Sequence, residues 1–257
     1  MTIKGKKTMR LILIALTLLG VVLVTGCSTT PKQQINLEPP QHRAEDIIKK
    51  SVDYPVDVYD PMEGFNRRIY TFNYYFDKFL YLPVVKTYEF IMPDYVEKRI
   101  SNFVDNVFEF KNFTNNLLQL KFKQTGITLA RFLVNTTVGI AGLWDPATGL
   151  DLPRQSEDFG QTLGHYGVGN GPFIVLPIFG PSNLRDTTGL AADVAAFSYV
   201  GPQDWVDDND VTLIFNGVSA IDKRHRESFR YYRTGSPFEY EMIRMLYTTK
   251  REMEIAK

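Results

Sequence analysis

The sequence predicts a mainly α-helical protein, and three features carry that reading. A capped start at Asp60-Pro61-Met62-Glu63 opens a long apolar stripe, further helix-length segments follow it, and few alternating runs bounded by turns compete. At that start an acceptor side chain, a proline and an acid stand in the order that suits a helix N-terminus. Met62, Phe65, Ile69, Phe72, Phe76 and Phe79 then recur at spacings of three and four, so they share one helix face. Pro83 ends this helix or begins the next turn. Later helices are expected over Pro93–Phe110, Phe113–Lys121, Phe122–Val138, Ser182–Phe197, Val211–Tyr232 and Pro237–Ile255.

Ahead of these helices the chain reads as an address and a tether. Lys4, Lys6, Lys7 and Arg10 precede an apolar run from Leu11 to Val24, which ends in Val24-Thr25-Gly26-Cys27. That is the layout of a secretory signal, and it is shorter than the ~20 apolar residues a spanning helix needs. The stretch before Cys27 resembles a bacterial lipobox, which implies cleavage there and acylation of Cys27 by chains such as palmitate. A secreted protein with an unpaired Cys27 is the plainer alternative. Ser28 in place of an aspartate implies sorting to the outer membrane of a Gram-negative cell. From Ser28 to about Asp57 the chain is polar and carries Pro31, Pro39, Pro40 and Pro55, a tether composition. The expected organisation is therefore a signal peptide over 1–26, a lipidated N-terminus and tether over 27–57, and a helical body over 58–257.

Composition narrows the function. The 257 residues are 44% apolar and include 18 Phe, 14 Tyr and 2 Trp, enough for a sizeable core. Basic and acidic residues number 29 each; loss of 1–26 removes four basic residues and no acidic one, a net of −4. No basic field invites nucleic acid. The single cysteine rules out an internal disulfide and a four-thiolate zinc site. Beyond the signal no run of 18 apolar residues occurs, so the aromatic stripes belong either to a soluble core or to a surface lying partly in a bilayer.

A search for catalytic chemistry finds little. His42, His165 and His225 lack metal-site spacing, and no Gly-x-Ser-x-Gly elbow is present. Ser182, His165 and Asp186 make a triad only on paper. Asp158-Phe159-Gly160 lacks the other parts of a kinase, and the glycines at 164, 167, 169 and 171 are not followed by a phosphate-binding Lys-Ser. No catalytic residue, metal or cofactor is expected. The polar residues that stand out are Asn66 and Asn73, seven apart beside the stripe, and Arg67, Arg131 and Arg185 in apolar helices. Each arginine suits a buried carboxylate or a phosphate. Asn135-Thr136-Thr137 can satisfy a helix end. Phe173, Ile174, Val175, Leu176, Pro177, Ile178 and Phe179 form an apolar segment between turn residues, with Pro177 expected to break any ladder or helix. Such a segment is buried, lies against lipid, or moves over an apolar pocket.

Taken together these segments resemble the VacJ/MlaA family of outer-membrane phospholipid-transport lipoproteins. The matching residues are Asp60-Pro61-Met62-Glu63-Gly64-Phe65-Asn66-Arg67, Phe72-Asn73, Asn102-Phe103, Leu117-Leu118-Gln119, Arg131-Phe132, Asn135-Thr136-Thr137-Val138-Gly139 and Glu157 through Gly169. Gly171-Pro172, Leu176-Pro177, Gly180-Pro181-Ser182 and Arg185-Asp186 continue the match. Leu120-Lys121 departs from it, standing where a small residue commonly follows Leu-Leu-Gln, and the chain after 200 offers little to compare.

The resemblance implies amphipathic helices forming a ring-like body around a lipid channel, embedded in the outer membrane from the periplasmic side. It implies no enzyme, but removal of misplaced phospholipid from the outer leaflet, which maintains lipid asymmetry. The implied partners are phospholipids, a trimeric porin of the OmpC/OmpF type and a periplasmic MlaC-like carrier. Asn66, Arg67, Asn73, Arg131, Asn135, Gly160, Gly164, Arg185 and Asp186 are the expected structural motif residues. The segment Phe173–Phe179 is the expected lipid-contacting or channel-gating flap. A structural or porin-assembly lipoprotein without a channel is the alternative, and a phospholipid hydrolase a third.

Overall fold

Helix α1 (Glu63–Phe76) begins where the sequence places it, but its entry is built differently. No side chain caps it. Asp60 instead accepts hydrogen bonds from Asn66 Nδ2, at 2.8 Å, and from the Tyr240 hydroxyl, tying the entry to the C-terminal helix. The computed structural model describes residues 58–201 and 209–257; the signal, Cys27 and the tether lie outside the described residues.

A π-helical turn, Asp77–Tyr81, joins α1 directly to α2 (Leu82–Ile91), with Leu82 N donating to Asp77 O. Pro83 sits in the first turn of α2. In a regular turn its ring would press on the carbonyl four residues earlier, and the wider winding relieves that contact. Pro83 therefore opens a helix without separating it from α1.

Helix α3 (Asp94–Leu118) is continuous over 25 residues, where the sequence suggested two helices with a break near 111–112. Asparagine is a weak helix former, but here buried partners outweigh propensity. Asn112 donates to Glu109 Oε2 at 3.0 Å and accepts from Glu157 N at 3.2 Å; Asn115 donates to Asp193 and accepts from the Thr162 hydroxyl. The turn at Gln119-Leu120-Lys121 reverses the chain into α4 (Phe122–Thr137), which runs back along α3 so that Glu109 meets Arg131 and Asn106 meets Thr136.

Short α5 (Pro146–Gly149) and α6 (Phe159–His165) are N-capped by Asp145 and Asp158. Strands β1 (Phe173–Leu176) and β2 (Gly180–Asn183) pair antiparallel, Phe173 opposite Asn183 and Leu176 opposite Gly180. Pro177 does not prevent this ladder, because it falls in the three-residue turn where no ladder N–H is required. Asn183 then caps α7 (Leu184–Tyr199). Helix α8 (Asn209–Arg226) stops six residues before the expected Tyr232, where the Arg224 guanidinium folds over the end and donates to Glu227 O and Phe229 O. Helix α9 (Glu239–Ile255) completes a mainly α fold.

Burial in this fold is inverted. Along α1 and the π turn, Phe65, Phe72 and Phe79 face outward at 57%, 48% and 68% exposure and Ile69 packs against the core, while Asn66, Asn73 and Asp77 on the inner face stand at 0%, 2% and 5%. Helix α3 buries Glu97, Asn106, Glu109, Asn112, Asn115 and Asn116. Helix α4 buries Thr125, Thr128, Arg131 and Asn135, and turns Phe122, Leu129 and Leu133 out. The apolar core is small and largely tyrosine: Tyr70, Tyr74, Tyr231 and Tyr240 close around Phe173 and Val175. Tyr70 meets Tyr231 edge to face at 4.9 Å. Among the described residues no helix is long and apolar enough to cross a membrane.

Candidate functional site

The antiparallel α3–α4 pair, the α5 segment and Arg154 line a partly open polar cavity of about 220 Å³. Arg131 organises its floor. Its Nε donates to Glu109 Oε1 at 2.9 Å, Nη1 to Leu152 O at 2.6 Å, and Nη2 to Asp145 Oδ2 at 3.1 Å. Both Arg131 and Glu109 are buried, and such a pair is tolerated only when its remaining atoms are also satisfied. Asn112 supplies the bond to the second Glu109 oxygen. Asn135 accepts from Ala147 N at 3.1 Å and donates to Asp145 at 3.0 Å, fixing the α5 segment against α4. Burial pushes the Asp145 carboxyl up, but hydrogen bonds from Thr148, Asn135 and Arg131 outweigh it and hold the group below the usual carboxylate range. Asn106 donates to Thr136 Oγ1 at 3.0 Å, and its buried Oδ1 has no partner. At the rim Asp105 pairs with both Arg154 and Arg226.

Asn66 and Asn73 reach from α1 to the β-hairpin. Asn66 Nδ2 donates to Phe173 O at 3.0 Å and its Oδ1 accepts from Val175 N at 3.0 Å. Asn73 repeats the arrangement with Leu176 O at 2.9 Å and Ile178 N at 2.7 Å. The segment Phe173–Phe179 is thus divided by the hairpin. Strand alternation sends Phe173 and Val175 into the core, Ile174 and Leu176 are half-buried, and Pro177, Ile178 and Phe179 are exposed at the tip.

A second polar knot ties the C-terminal helix to the middle of the chain. Arg251 donates to both oxygens of Asp158, each at 2.8 Å, and to both of Asp186, at 2.8 and 3.1 Å. Arg185 pairs with Asp186 at 2.9 Å. Beside it α6 and α7 cross at Gly160 and Gly189: a Cβ on Gly189 would stand 2.3 Å from Gly160 N. Gly164 leaves room for Ile255 of α9. Arg67 joins Glu63 and Glu241 and lies over the Tyr240 ring at 4.3 Å. All three arginines singled out in the sequence are thus paired with carboxylates.

The remaining chemical candidates do not assemble. Ser182 Oγ lies 2.9 Å from Thr187 Oγ1, Asp186 is held by Arg185 and Arg251, and His165 is exposed. Among the described residues no group of three or more His, Cys, Asp or Glu is placed to hold a metal; His42 lies outside them. Sequence reasoning missed Glu109, Arg251, Glu239, which accepts from the Tyr70 hydroxyl at 2.8 Å, and the Asp77–Arg224 pair at 2.6 Å. Asp77 had a signal, because it continues the helical phase of Asn66 and Asn73. Arg251 had none, its partners lying 65 and 93 residues away.

Comparison with known proteins agrees with this architecture. The family model described as MlaA lipoprotein matches residues 58–254. An uncharacterized protein of Rickettsia prowazekii is 39% identical over 171 residues, 66% of each chain. The intermembrane phospholipid transport system lipoprotein MlaA of Escherichia coli is 35% identical over 180 residues, 68% of this chain and 63% of that one. The matched stretch thus spans about two thirds of these relatives' length. A solved structure described as the structural basis for maintenance of bacterial outer membrane lipid asymmetry superposes with a TM-score of 0.62 at 30% identity, over 77% of this chain and 100% of that one. With the matching family model covering α1 through nearly all of α9, this chain belongs to the MlaA lipoprotein family.

Proposed function

We propose that this protein is an outer-membrane lipoprotein that draws misplaced phospholipid from the outer leaflet and passes it to a periplasmic carrier, so maintaining lipid asymmetry. Inverted burial is the observation that carries the reading. Phe65, Phe72 and Phe79 face outward over an asparagine-lined interior, and apolar surface kept in water costs ~25 cal/mol per Å². Hydrocarbon removes that cost, and a polar interior suits headgroups in transit. The helices then form a ring-like body around a channel, embedded from the periplasmic side and tethered through residues 27–57 to lipidated Cys27. Ile178 and Phe179 at the hairpin tip contact lipid at the channel mouth, while Phe173 and Val175 anchor the hairpin. The exterior meets a trimeric porin of the OmpC/OmpF type, and an MlaC-like carrier receives the lipid. No bond is broken, so transport requires no catalytic group. The names of the Escherichia coli and Haemophilus influenzae relatives support this reading.

The test labels phospholipid amines on intact cells with a membrane-impermeant reagent, comparing wild type, a deletion strain and Cys27→Ala. More labelling in the deletion, reversed by wild type but not by the anchor variant, is the expected result. Equal labelling in all three, with the protein expressed and porins present, would favour a structural lipoprotein instead.

A further inference from the structure

We propose that Arg99, Tyr95 and Trp144 form a site at the membrane surface for the phosphate of a bilayer lipid. The proposal rests on the reading that the exterior of this body meets lipid, and it names a place where a headgroup is held. The site lies where the first turns of α3 meet the connection from α4 to α5. The Arg99 guanidinium stands 4.7 Å from the centre of the Tyr95 ring and 5.1 Å from that of Trp144. Its Nη1 donates to Leu143 O at 3.2 Å, and Asn102 Nδ2 donates to the same oxygen at 3.0 Å. The connection that presents Trp144 is tightly wound. Ile140, Ala141 and Gly142 are left-handed in succession, at φ +51°, +54° and +87°. That conformation is costly for a β-branched residue, and strain of this kind collects where a fold must aim a side chain. Gly139 permits the winding, since a Cβ there would stand 2.4 Å from Trp144 O.

Charge and donors are left over at this place. Arg131, Arg154, Arg226 and Arg251 all have carboxylate partners. Among the described residues Arg99 has none: Glu97, two residues before it, turns instead to His225 at 3.3 Å. The Arg99 Nε is buried, but Nη2 is not, and Nη2 has no protein partner among the described residues. The Tyr95 hydroxyl and the Trp144 indole N–H are also without one there, on residues 60% and 39% exposed. Three donors and one uncompensated positive charge thus share a patch. A phosphate answers both, offering negative charge and several acceptor oxygens to a guanidinium edge. The apolar neighbours select a lipid over a dissolved anion. Phe90 at the end of α2, and Val138 and Ile140 on the connection, are exposed. Tryptophan and tyrosine are favoured at the level of the headgroups, where one end of the ring is apolar and the other wet.

The experiment uses the full-length protein in maltoside micelles with Trp205→Phe, which leaves Trp144 as the single tryptophan. Its emission is followed during titration with dihexanoylphosphatidylglycerol, with dihexanoylglycerol, which has the same tails and no phosphate, and with inorganic phosphate or acetate. The phospholipid is expected to saturate the response at a concentration about tenfold below the other three, the worth of one hydrogen bond to a charged group. Arg99→Gln removes that preference, and Arg99→Lys, which keeps the charge but loses the planar fork, retains part of it. Thermal unfolding confirms that each variant is folded, and the comparison of ligands on the unsubstituted Arg99 stands even where a variant is not. Equal half-saturation by the phospholipid and dihexanoylglycerol, no response to any ligand, or a preference that survives in folded Arg99→Gln overturns the site. Inorganic phosphate or acetate acting as strongly as the phospholipid also overturns it, in favour of a general anion site. A Trp144 indifferent to phosphate, in a protein whose deletion raises surface labelling of phospholipid, rejects this site alone. A phospholipid preference at Trp144 with labelling unchanged in the deletion rejects the transport reading and leaves the site standing.

Discussion

Asn66 and Asn73, two turns apart on α1, each hold one stretch of the β-hairpin backbone through both amide atoms. The helix thereby supplies the bonds that a third strand would supply. Asn66→Leu strands Phe173 O and Val175 N without partners, and two buried backbone groups left unmet cost roughly 2–4 kcal/mol. Denaturant midpoints measure this. Asn73→Leu, nearer the exposed turn, costs less and increases proteolysis at 177–179. Wild-type stability in both variants would show that the amides are not clamps.

The Arg131–Glu109 pair predicts strong non-additivity. Arg131→Met leaves a buried carboxylate and costs about 3–5 kcal/mol, whereas Glu109→Gln in the same chain recovers a large part. A double-mutant cycle on unfolding free energy reads the coupling directly. Additive losses would mean that the two residues act independently.

Exterior rings should govern membrane residence with little effect on internal stability. Phe72→Glu and Phe79→Glu are expected to change unfolding in detergent by about 0.5 kcal/mol or less. Each forfeits about 2 kcal/mol of transfer energy into hydrocarbon, so alkaline extraction from membranes becomes easier. Extraction unchanged in the double variant would place these rings outside the bilayer.

Leu120 has φ +58°, a left-handed conformation that a leucine adopts at a cost. Leu120→Gly is expected to stabilise the protein by about 1 kcal/mol and Leu120→Val to destabilise it, both read as midpoint shifts. This is also the position where family resemblance anticipates a small residue.

Acid should loosen the C-terminal latch. Burial raises the Asp158 and Asp186 carboxyls, but hydrogen bonds and charge from Arg251 more than reverse that and hold both below the usual range. A depressed carboxylate contributes stability above its unfolded value, near 4, and loses it as pH falls toward the folded one. The knot should therefore contribute its full stability, with no pH dependence of the melting temperature from it, between about pH 5 and 8, and lose it below about pH 4. Arg251→Met lowers the plateau and flattens the acid slope. An acid slope equal to that of wild type would exclude the knot as its source.

Much of the helical plan was legible because it depends on local spacing. The stripe from Met62 to Phe79 has helix period whichever way it faces, so period located α1 while leaving its orientation open. Orientation follows from what Asn66, Asn73 and Asp77 bond to, and those partners lie in distant segments. The continuity of α3 was hidden for the same reason: Asn112, in the expected break, and Asn115, within the expected second helix, are held by Glu157, Thr162 and Asp193 from distant segments. At Pro177 the residue rule was sound, but a three-residue turn places the proline where a hairpin tolerates it. Of the cavity, Arg131 and Asn135 stood out as polar residues in an apolar helix. Asn106 did not, since an unmet oxygen becomes visible only once its neighbours are in place.

On the transport reading, the polar latches of the interior have a consequence for a chain on its way to the membrane. Asn66, Arg131 and Arg251 can find their partners in water, because none of those bonds waits for lipid. The body can thus acquire its shape before it reaches a bilayer, and insertion becomes the dissolving of a finished object rather than a folding step. The hazardous interval falls between the two events, when a shaped molecule presents Phe65, Phe72 and Phe79 to water and to its neighbours. Clumping in transit, rather than misfolding, is then the hazard this reading predicts.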